Sequence, residues 1–324
     1  MNNIRTIGVL TSGGDAPGMN PCIRAVVRTA LDLKLNVMGV MGGYEGLING
    51  NLRPLGARDV GGILQRGGTI LQTARSAEFP TIAGRMKALR EMNSAGIDAL
   101  VVIGGDGSLR GALSLMNEGV PVVGIPASID NDIYGTDMCI GVDTALNTIV
   151  DAIDKLRDTA TSHNRAFIIE TMGHKNGYLA QHAGIVSGAE MILIPELPVD
   201  IEQVVKSVEN AYIRGKSHCI IVAAEGIEPK ATVIAERIAE MKIGFDTRVT
   251  ILGHIQRGGK PTAFDRMLAT RFGVRAVQFL MEGKYGCMTA MQAREVMPIA
   301  LEEVTTKQKE LSAEYMHLAT MLAR

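Results

Sequence analysis

Three carboxylates stand in two short polar runs, one of them rich in glycine. Asp106 lies in Gly104-Gly105-Asp106-Gly107-Ser108, and Asp130 and Asp132 lie in Pro126-Ala127-Ser128-Ile129-Asp130-Asn131-Asp132. Glycines let a backbone come close to phosphate, and a following helix offers free N–H groups and a positive dipole end. Carboxylates at such a place suit a hard metal ion and a general base. Gly-Asp-Gly alone is an ordinary turn signal. Paired carboxylates beside a phosphate run carry more weight, because like charges there are costly unless they are used.

These runs need elements to hold them. Leu100–Ile103 and Val120–Ile125 read as buried strands, with a helix over Leu109–Met116 between them. Strand–loop–helix–strand is one turn of a parallel α/β sheet, whose ligands bind at the carboxyl ends of the strands. Ile4–Leu10 is another such strand, ending in Thr11-Ser12-Gly13-Gly14-Asp15-Ala16-Pro17-Gly18. Asn20-Pro21 then reads as a cap and first-turn proline. Val37–Met41 leads to a loop at Gly42–Gly46. Further on, Thr144–Arg157, Leu179–Ser187, Ile201–Tyr212, Ala231–Met241 and Ala263–Glu282 read as helices. Ala166–Glu170, Met191–Ile194, Cys219–Ala224 and Val249–Leu252 read as strands. This alternation predicts one or two parallel sheets with helices on both faces.

The 324 residues are 46% hydrophobic and 21% charged, with a formal charge of −1, which fits a soluble protein of two domains or one large one. A balance so near zero argues against nucleic acid or a membrane as a general partner. No apolar run reaches the ~18 residues that span a bilayer. The N-terminus has no signal-peptide pattern, so a cytoplasmic protein is expected. Cys22, Cys139, Cys219 and Cys287 are scattered without a C-x-x-C pair, which predicts reduced thiols and no zinc site.

Two nucleotide signatures are absent. Asn210 stands where a Walker A segment ending in Gly215-Lys216-Ser217 needs its first glycine. Arg110 stands where a dinucleotide fingerprint needs its third. The runs that remain are TSGGDAPGMN, GGDGS, SIDND, MG-x-x-x-G and LGH-x-QRGG, in that order. Together they resemble the phosphofructokinase family, most closely its bacterial ATP-dependent members, from Ile4 to about Gly286.

The resemblance implies two doubly wound α/β domains with the active site in the cleft between them. One would comprise 1–141 plus 256–306 and bind nucleotide; the other, 142–255 plus 307–324, would bind sugar phosphate. It implies transfer of the γ-phosphoryl of ATP to the 1-hydroxyl of fructose 6-phosphate. Gly14, Gly105, Gly107 and Ser108 resemble the nucleotide-phosphate loop, with Arg75 reaching the phosphates. Asp106 resembles the Mg2+ residue. Asp130 resembles the base, flanked by Ser128 and Asp132. Arg165, Arg248, His254 and Arg257 resemble sugar-phosphate ligands, the first two from a neighbouring subunit of a homotetramer. Met172, Gly173 and Glu225 resemble groups that hold the sugar. Arg24, Arg28, Arg157, Glu190, Arg214 and Lys216 stand at positions of an effector site. Read alone, Arg75 is a solvated loop arginine, the Arg24–Arg28 pair a solvated helix face, and His254 a structural histidine.

Two departures touch the expected site. Ala127 replaces a family glycine, where pyrophosphate-dependent relatives carry lysine; those relatives also carry aspartate at the Gly107 position. Gly107 and Ala127 together favour ATP. His174 stands where the family generally has an arginine near the transferring phosphoryl group: either it replaces that arginine as an electrostatic clamp, or it lines the loop while Lys175 or a mobile arginine supplies the charge. The competing readings are a pyrophosphate-dependent phosphofructokinase, a sugar-phosphate-binding paralogue of low activity, and a lipid or dinucleotide kinase sharing only GGDG.

Overall fold

A computed structural model describes residues 4–312 together with 314, 315, 318 and 321. The expected second-domain tail, 307–324, thus lies partly outside the described residues. In chain order the first elements are β1 (Thr6–Ser12), α1 (Met19–Asp32), β2 (Asn36–Val40), α2 (Gly43–Ile48), β3 (Leu52–Pro54), α3 (Ile82–Ser94), β4 (Ala99–Gly104), α4 (Asp106–Asn117) and β5 (Val122–Pro126). Then come α5 (Val142–His163), β6 (Arg165–Thr171), α6 (Tyr178–Val186), β7 (Met191–Leu193), α7 (Ile201–Ile213), β8 (Cys219–Ala224), α8 (Ala231–Glu240) and β9 (Asp246–Ile251). A short 3-10 helix (Gly253–Arg257) precedes α9 (Ala263–Met281), β10 (Cys287–Gln292), β11 (Glu295–Ala300) and α10 (Leu301–Thr306).

The chain forms two compact units. The first is Met1–Ser128, Asp132–Thr144 and Arg257–Lys309; the second is Ile129–Asn131, Ala145–Gln256 and Glu310–Arg324. The first holds a seven-stranded sheet in the order β11-β10-β5-β4-β1-β2-β3. Every residue of β4 is buried, as expected of a strand covered on both faces. The five central strands are parallel, but β3 and β11 pair antiparallel at the two edges. The sheet is therefore mixed, not wholly parallel as the sequence predicted. Both edge strands contain a proline, Pro54 and Pro298. A proline nitrogen cannot join a ladder, so it is confined to edges with that side turned outward. The second unit holds a four-stranded, wholly parallel sheet in the order β7-β8-β6-β9.

In the first unit α1 and α9 pack closely. A Cβ on Gly273 would lie 2.7 Å from Ala25 Cβ and 2.8 Å from Cys22 O, so only glycine lets these backbones meet. Asp265, in the first turn of α9, is fully buried. It accepts from Gly141 N and Thr144 N at 2.8 Å each and from Thr144 Oγ1 at 2.6 Å. Burial pushes its carboxyl up to about 6, although those three donors pull the other way.

Several local expectations are corrected. Gly18, not Asn20, caps α1, which places Asn20 and Pro21 inside the first turn. Asn20 serves a loop instead: its Nδ2 donates to Arg66 O and Gly67 O, and its Oδ1 accepts from Ile70 N. Gly43–Ile48 is helical, not a loop. The GGDGS run is not a loop either. Gly105 caps α4, and Asp106, Gly107 and Ser108 form its first turn. None of the four cysteines is in a disulfide, and burial pushes the thiols of Cys22, Cys219 and Cys287 up, the last two to about 12 and about 11. No described helix is long and apolar enough to cross a membrane.

Candidate active site

In the first unit the glycine runs meet where β1 and β4 end. The chain leaves β1 for β2 on one side, while β4 lies on the other. That is a topological switch point, where ligands of open α/β sheets bind. A Cβ on Gly104 would lie 2.4 Å from Ser12 O, so the two strand ends touch through bare backbone. Tyr44 Oη donates to Ser108 O at 2.6 Å and pins the first turn of α4. A Cβ on Gly107 would meet nothing within 4 Å. The N-terminus of a three-turn helix thus borders open space, with room for an anion.

Two more groups complete this corner. A Cβ on Gly14 would lie 2.2 Å from Arg257 Nη1, so the guanidinium rests on that glycine; Arg257 Nη1 also donates to Asp15 O at 3.3 Å. Arg257, expected with the sugar-phosphate ligands, therefore stands beside the glycine loop of the first unit. The segment before Arg75 is tied to the end of β1: Thr73 Oγ1 donates to Gly13 O and Thr11 Oγ1 to Gln72 O. Arg75 itself is exposed. Asp106 is half-exposed and pairs with Arg110 Nε at 2.9 Å, one turn along α4.

Among the described residues no group of three or more His, Cys, Asp or Glu could hold a metal ion. Magnesium does not ask for such a cage. It binds one or two carboxylates and completes its shell with waters and substrate phosphates. An exposed carboxylate in the helical turn that borders the anion space, as Asp106 is, fits that donor set.

After β5, Ile129 is fully buried and anchors the SIDND run. Asn131 is buried with φ +52°, a left-handed conformation that asparagine tolerates better than most residues. Ser128 Oγ donates to Asp132 Oδ1 at 3.1 Å. Asp130 is half-buried and Asp132 exposed.

The second unit builds a different corner, at the carboxyl ends of β6 and β8. Met172 N donates to Oε1 of the fully buried Gln256 at 3.1 Å. Gly173 has φ +141°, and a Cβ on it would lie 2.2 Å from Asn176 O. His174 is exposed, with φ +53°, and its N–H donates to Glu225 Oε1 at 2.7 Å. A Cβ on Gly226 would lie 2.3 Å from His174 O, so the two loops lie against each other. Glu170 has its carboxyl raised, chiefly by burial and then by the charge of Glu225. His254 is exposed on the 3-10 turn beyond β9.

Arg165 and Arg248 are not in that corner. Arg165 opens β6, about 20 Å of extended chain from Met172, and Arg248 is the third residue of β9, in register with Phe167. Both donate to one oxygen, Asp246 Oδ2: Arg165 Nε at 3.2 Å and Arg248 Nη2 at 2.8 Å. The expected sugar-phosphate set is thus dispersed: His254 follows β9, Arg165 and Arg248 lie in the amino-terminal halves of β6 and β9, and Arg257 stands beside the glycine loop of the first unit.

The effector positions divide as well. Arg157 bonds His218 Nε2 at 3.1 Å and donates to Ser187 O, while Lys216 pairs with Glu190 at 3.0 Å. His218 joins this cluster unannounced by the sequence; burial leads in lowering its pKa, Arg157 and Lys216 add to that, and Glu190 opposes. Arg214 turns instead to Asn210 O, at the end of α7. Arg24 and Arg28 lie on α1, and Arg28 donates to Ala57 O at 2.9 Å.

Two mostly parallel sheets, each carrying polar loops at its strand ends, define an α/β protein. Residues 6–280 match the model of the phosphofructokinase family. The chain is 52% identical over 321 residues to an ATP-dependent 6-phosphofructokinase of Thermotoga neapolitana, covering 99% of this chain and all of that one. The chain belongs to the phosphofructokinase family. Its fold is similar to that of Pichia pastoris phosphofructokinase in the T-state, with TM-score 0.88 and 39% identity over 93% of this chain. The chain spans 37% of the Pichia chain. A pyrophosphate-dependent phosphofructokinase from Marinobacter aquaeolei shares the fold, with TM-score 0.86 at 19% identity over 99% of this chain and 91% of that one.

Proposed function

We propose that the chain transfers the γ-phosphoryl of ATP to the 1-hydroxyl of fructose 6-phosphate, giving ADP and fructose 1,6-bisphosphate. The observation that carries this reading is the open space at Gly107, in the first turn of a helix that no side chain caps and next to the Asp106 carboxylate. A nucleotide needs that room. Ala127 adds no cation to hold pyrophosphate instead. The full-length similarity to ATP-dependent enzymes supports the same donor.

Phosphoryl transfer passes through a loose transition state, so positioning and charge neutralisation dominate. The N–H groups of the first α4 turn and the Gly13-Gly14 loop receive the nucleotide phosphates, and Arg75 and Arg257 offset their charge. Asp106 would hold Mg2+, which neutralises phosphate oxygens when bound. Asp130 accepts the proton of the sugar hydroxyl as its oxygen bonds to the γ-phosphorus and the β–γ bridging bond breaks. Ser128 and Asp132 orient this run. Met172, Gly173, Glu225 and His254 hold the sugar, and His174 steadies charge on the transferring group. Arg165 and Arg248 lie beyond the reach of their own chain's Met172 corner, which supports their serving a neighbouring copy in a homotetramer. Arg24, Arg28, Arg157, Glu190, Arg214 and Lys216 are proposed to receive an anionic effector.

A coupled assay with a single phosphoryl donor tests this. Turnover with ATP and none with pyrophosphate is the expected result. Turnover with pyrophosphate alone would assign the other donor, and negligible turnover with both would leave a binding paralogue.

A further inference from the structure

Asp246 is not among the residues that the sequence singles out, yet it organises two that are. It is the direct cross-strand partner of Arg165, and Arg248 follows it by two residues on the same strand. Residues two apart on a strand share a face. Asp246 Oδ2 takes one N–H from each arginine, Nε of Arg165 and Nη2 of Arg248. All three side chains keep contact with solvent, at 29%, 57% and 48% exposure for Arg165, Arg248 and Asp246.

We infer that Asp246 is a positioning residue for the sugar phosphate: it holds Arg165 and Arg248 side by side as one anion-binding pair. This rests on the proposed role of the two arginines. A guanidinium has five N–H donors. The bonds to Asp246 use one from each and leave the terminal nitrogens of Arg165, and Nη1 of Arg248, to face a ligand. Without the carboxylate, two like charges on adjacent strands repel and separate, and a phosphate must then bring them together at its own expense. The trio keeps a net charge of +1, enough to attract a dianion. Ion pairs this exposed contribute little to folding, so loss of Asp246 acts on binding and not on the fold.

The test is steady-state kinetics of the whole enzyme with ATP. Asp246→Ala raises KM for fructose 6-phosphate about 10-fold, the scale of one lost charge-assisted hydrogen bond. It leaves KM for ATP unchanged and kcat within about 2-fold, as loss of uniform binding does. Asp246→Asn keeps an acceptor oxygen and falls between Asp246→Ala and the parent. Arg165→Ala and Arg248→Ala are measured beside them. If the arginine variants raise KM while Asp246→Ala leaves it unchanged or lowers it, Asp246 is a bystander or a competitor of the phosphate, and the inference fails alone. If the arginine variants leave KM unchanged, the sugar-phosphate role of the pair fails, and the inference fails with it.

Discussion

The backbone N–H of His174 donates to Glu225 Oε1 at 2.7 Å, so a residue following β6 is fixed by one following β8. The bond holds His174 in the left-handed region, at φ +53°. A non-glycine residue pays about 1–2 kcal/mol for that conformation, and strain of this kind collects where a side chain must be aimed.

Replacing His174 therefore separates stability from activity. His174→Gly removes the side chain and the strain together. Its melting temperature should match or exceed that of the parent, while kcat falls at least about 10-fold, as expected on losing a group that stabilises transition-state charge. His174→Arg should retain kcat, since the guanidinium supplies a charge and N–H donors at the same place. Unaltered kcat in His174→Gly would remove the clamp from the mechanism.

Asp130→Ser tests the base. Binding of ATP and fructose 6-phosphate should persist, with kcat reduced ~10²-fold or more. A variant with near-parental kcat would assign the proton elsewhere.

Gly107→Ala places a methyl group in space that is empty to 4 Å. Alanine is the better helix former by up to about 1 kcal/mol, so the variant should melt no lower than the parent. Its KM for ATP should rise, because the methyl occupies room proposed for phosphate. If KM for ATP stays constant, the nucleotide lies somewhere else.

Asp265 gives a pH signature of stability. Its folded carboxyl, raised from the usual 3.8 to about 6, binds a proton more tightly than in the unfolded chain. Its contribution to stability is thus full below about 4 and is lost as pH rises through about 6. Asp265→Asn removes this titration and also turns an amide N–H2 toward the N–H groups of Gly141 and Thr144. The melting temperature of the parent minus that of the variant should be largest at low pH and shrink between pH 4 and 7. A difference that grows with pH would show that the three donors outweigh burial.

Mixed oligomers test assembly. Asp130→Ser and Arg165→Ala should each be nearly inactive alone. Random 1:1 hybrids should recover about a quarter of the sites if each site takes Asp130 and Arg165 from different copies in closed symmetry. Hybrids without recovery would place both residues of a site in one chain.

The sequence revealed the elements whose chemistry is local. β4 and β8 show as unbroken apolar runs because both faces of those strands are buried. α3 escaped notice because it buries only Gly84, Ala88 and Met92 and exposes Ile82 and Met86. β10 and β11 lie past the region of close resemblance, and an edge strand such as β11 is mostly exposed. GGDGS read as a loop because glycine usually breaks helices, whereas here Gly105 caps one and Gly107 sits in its first turn. Asp246, Gln256, Glu170 and His218 act through strands or loops distant in sequence, and no spacing along the chain announces such neighbours. The separation of Arg165 and Arg248 from Met172 was hidden for the same reason. It follows from the position of Arg165 at the start of β6 and the pairing of Arg248, on β9, with Phe167 of β6.

The prolines on the outer strands of the larger sheet bear on how copies of this chain meet. A bare strand edge is a template on which another chain can lay its own backbone, and proteins blunt such edges to avoid fibres. Pro54 and Pro298 interrupt the row of donors at either margin of the sheet. Recruitment of a foreign strand there gains fewer backbone bonds than it would along an unbroken edge. Strand pairing with another chain is thereby disfavoured at both margins of this sheet, and contacts there are left to side chains.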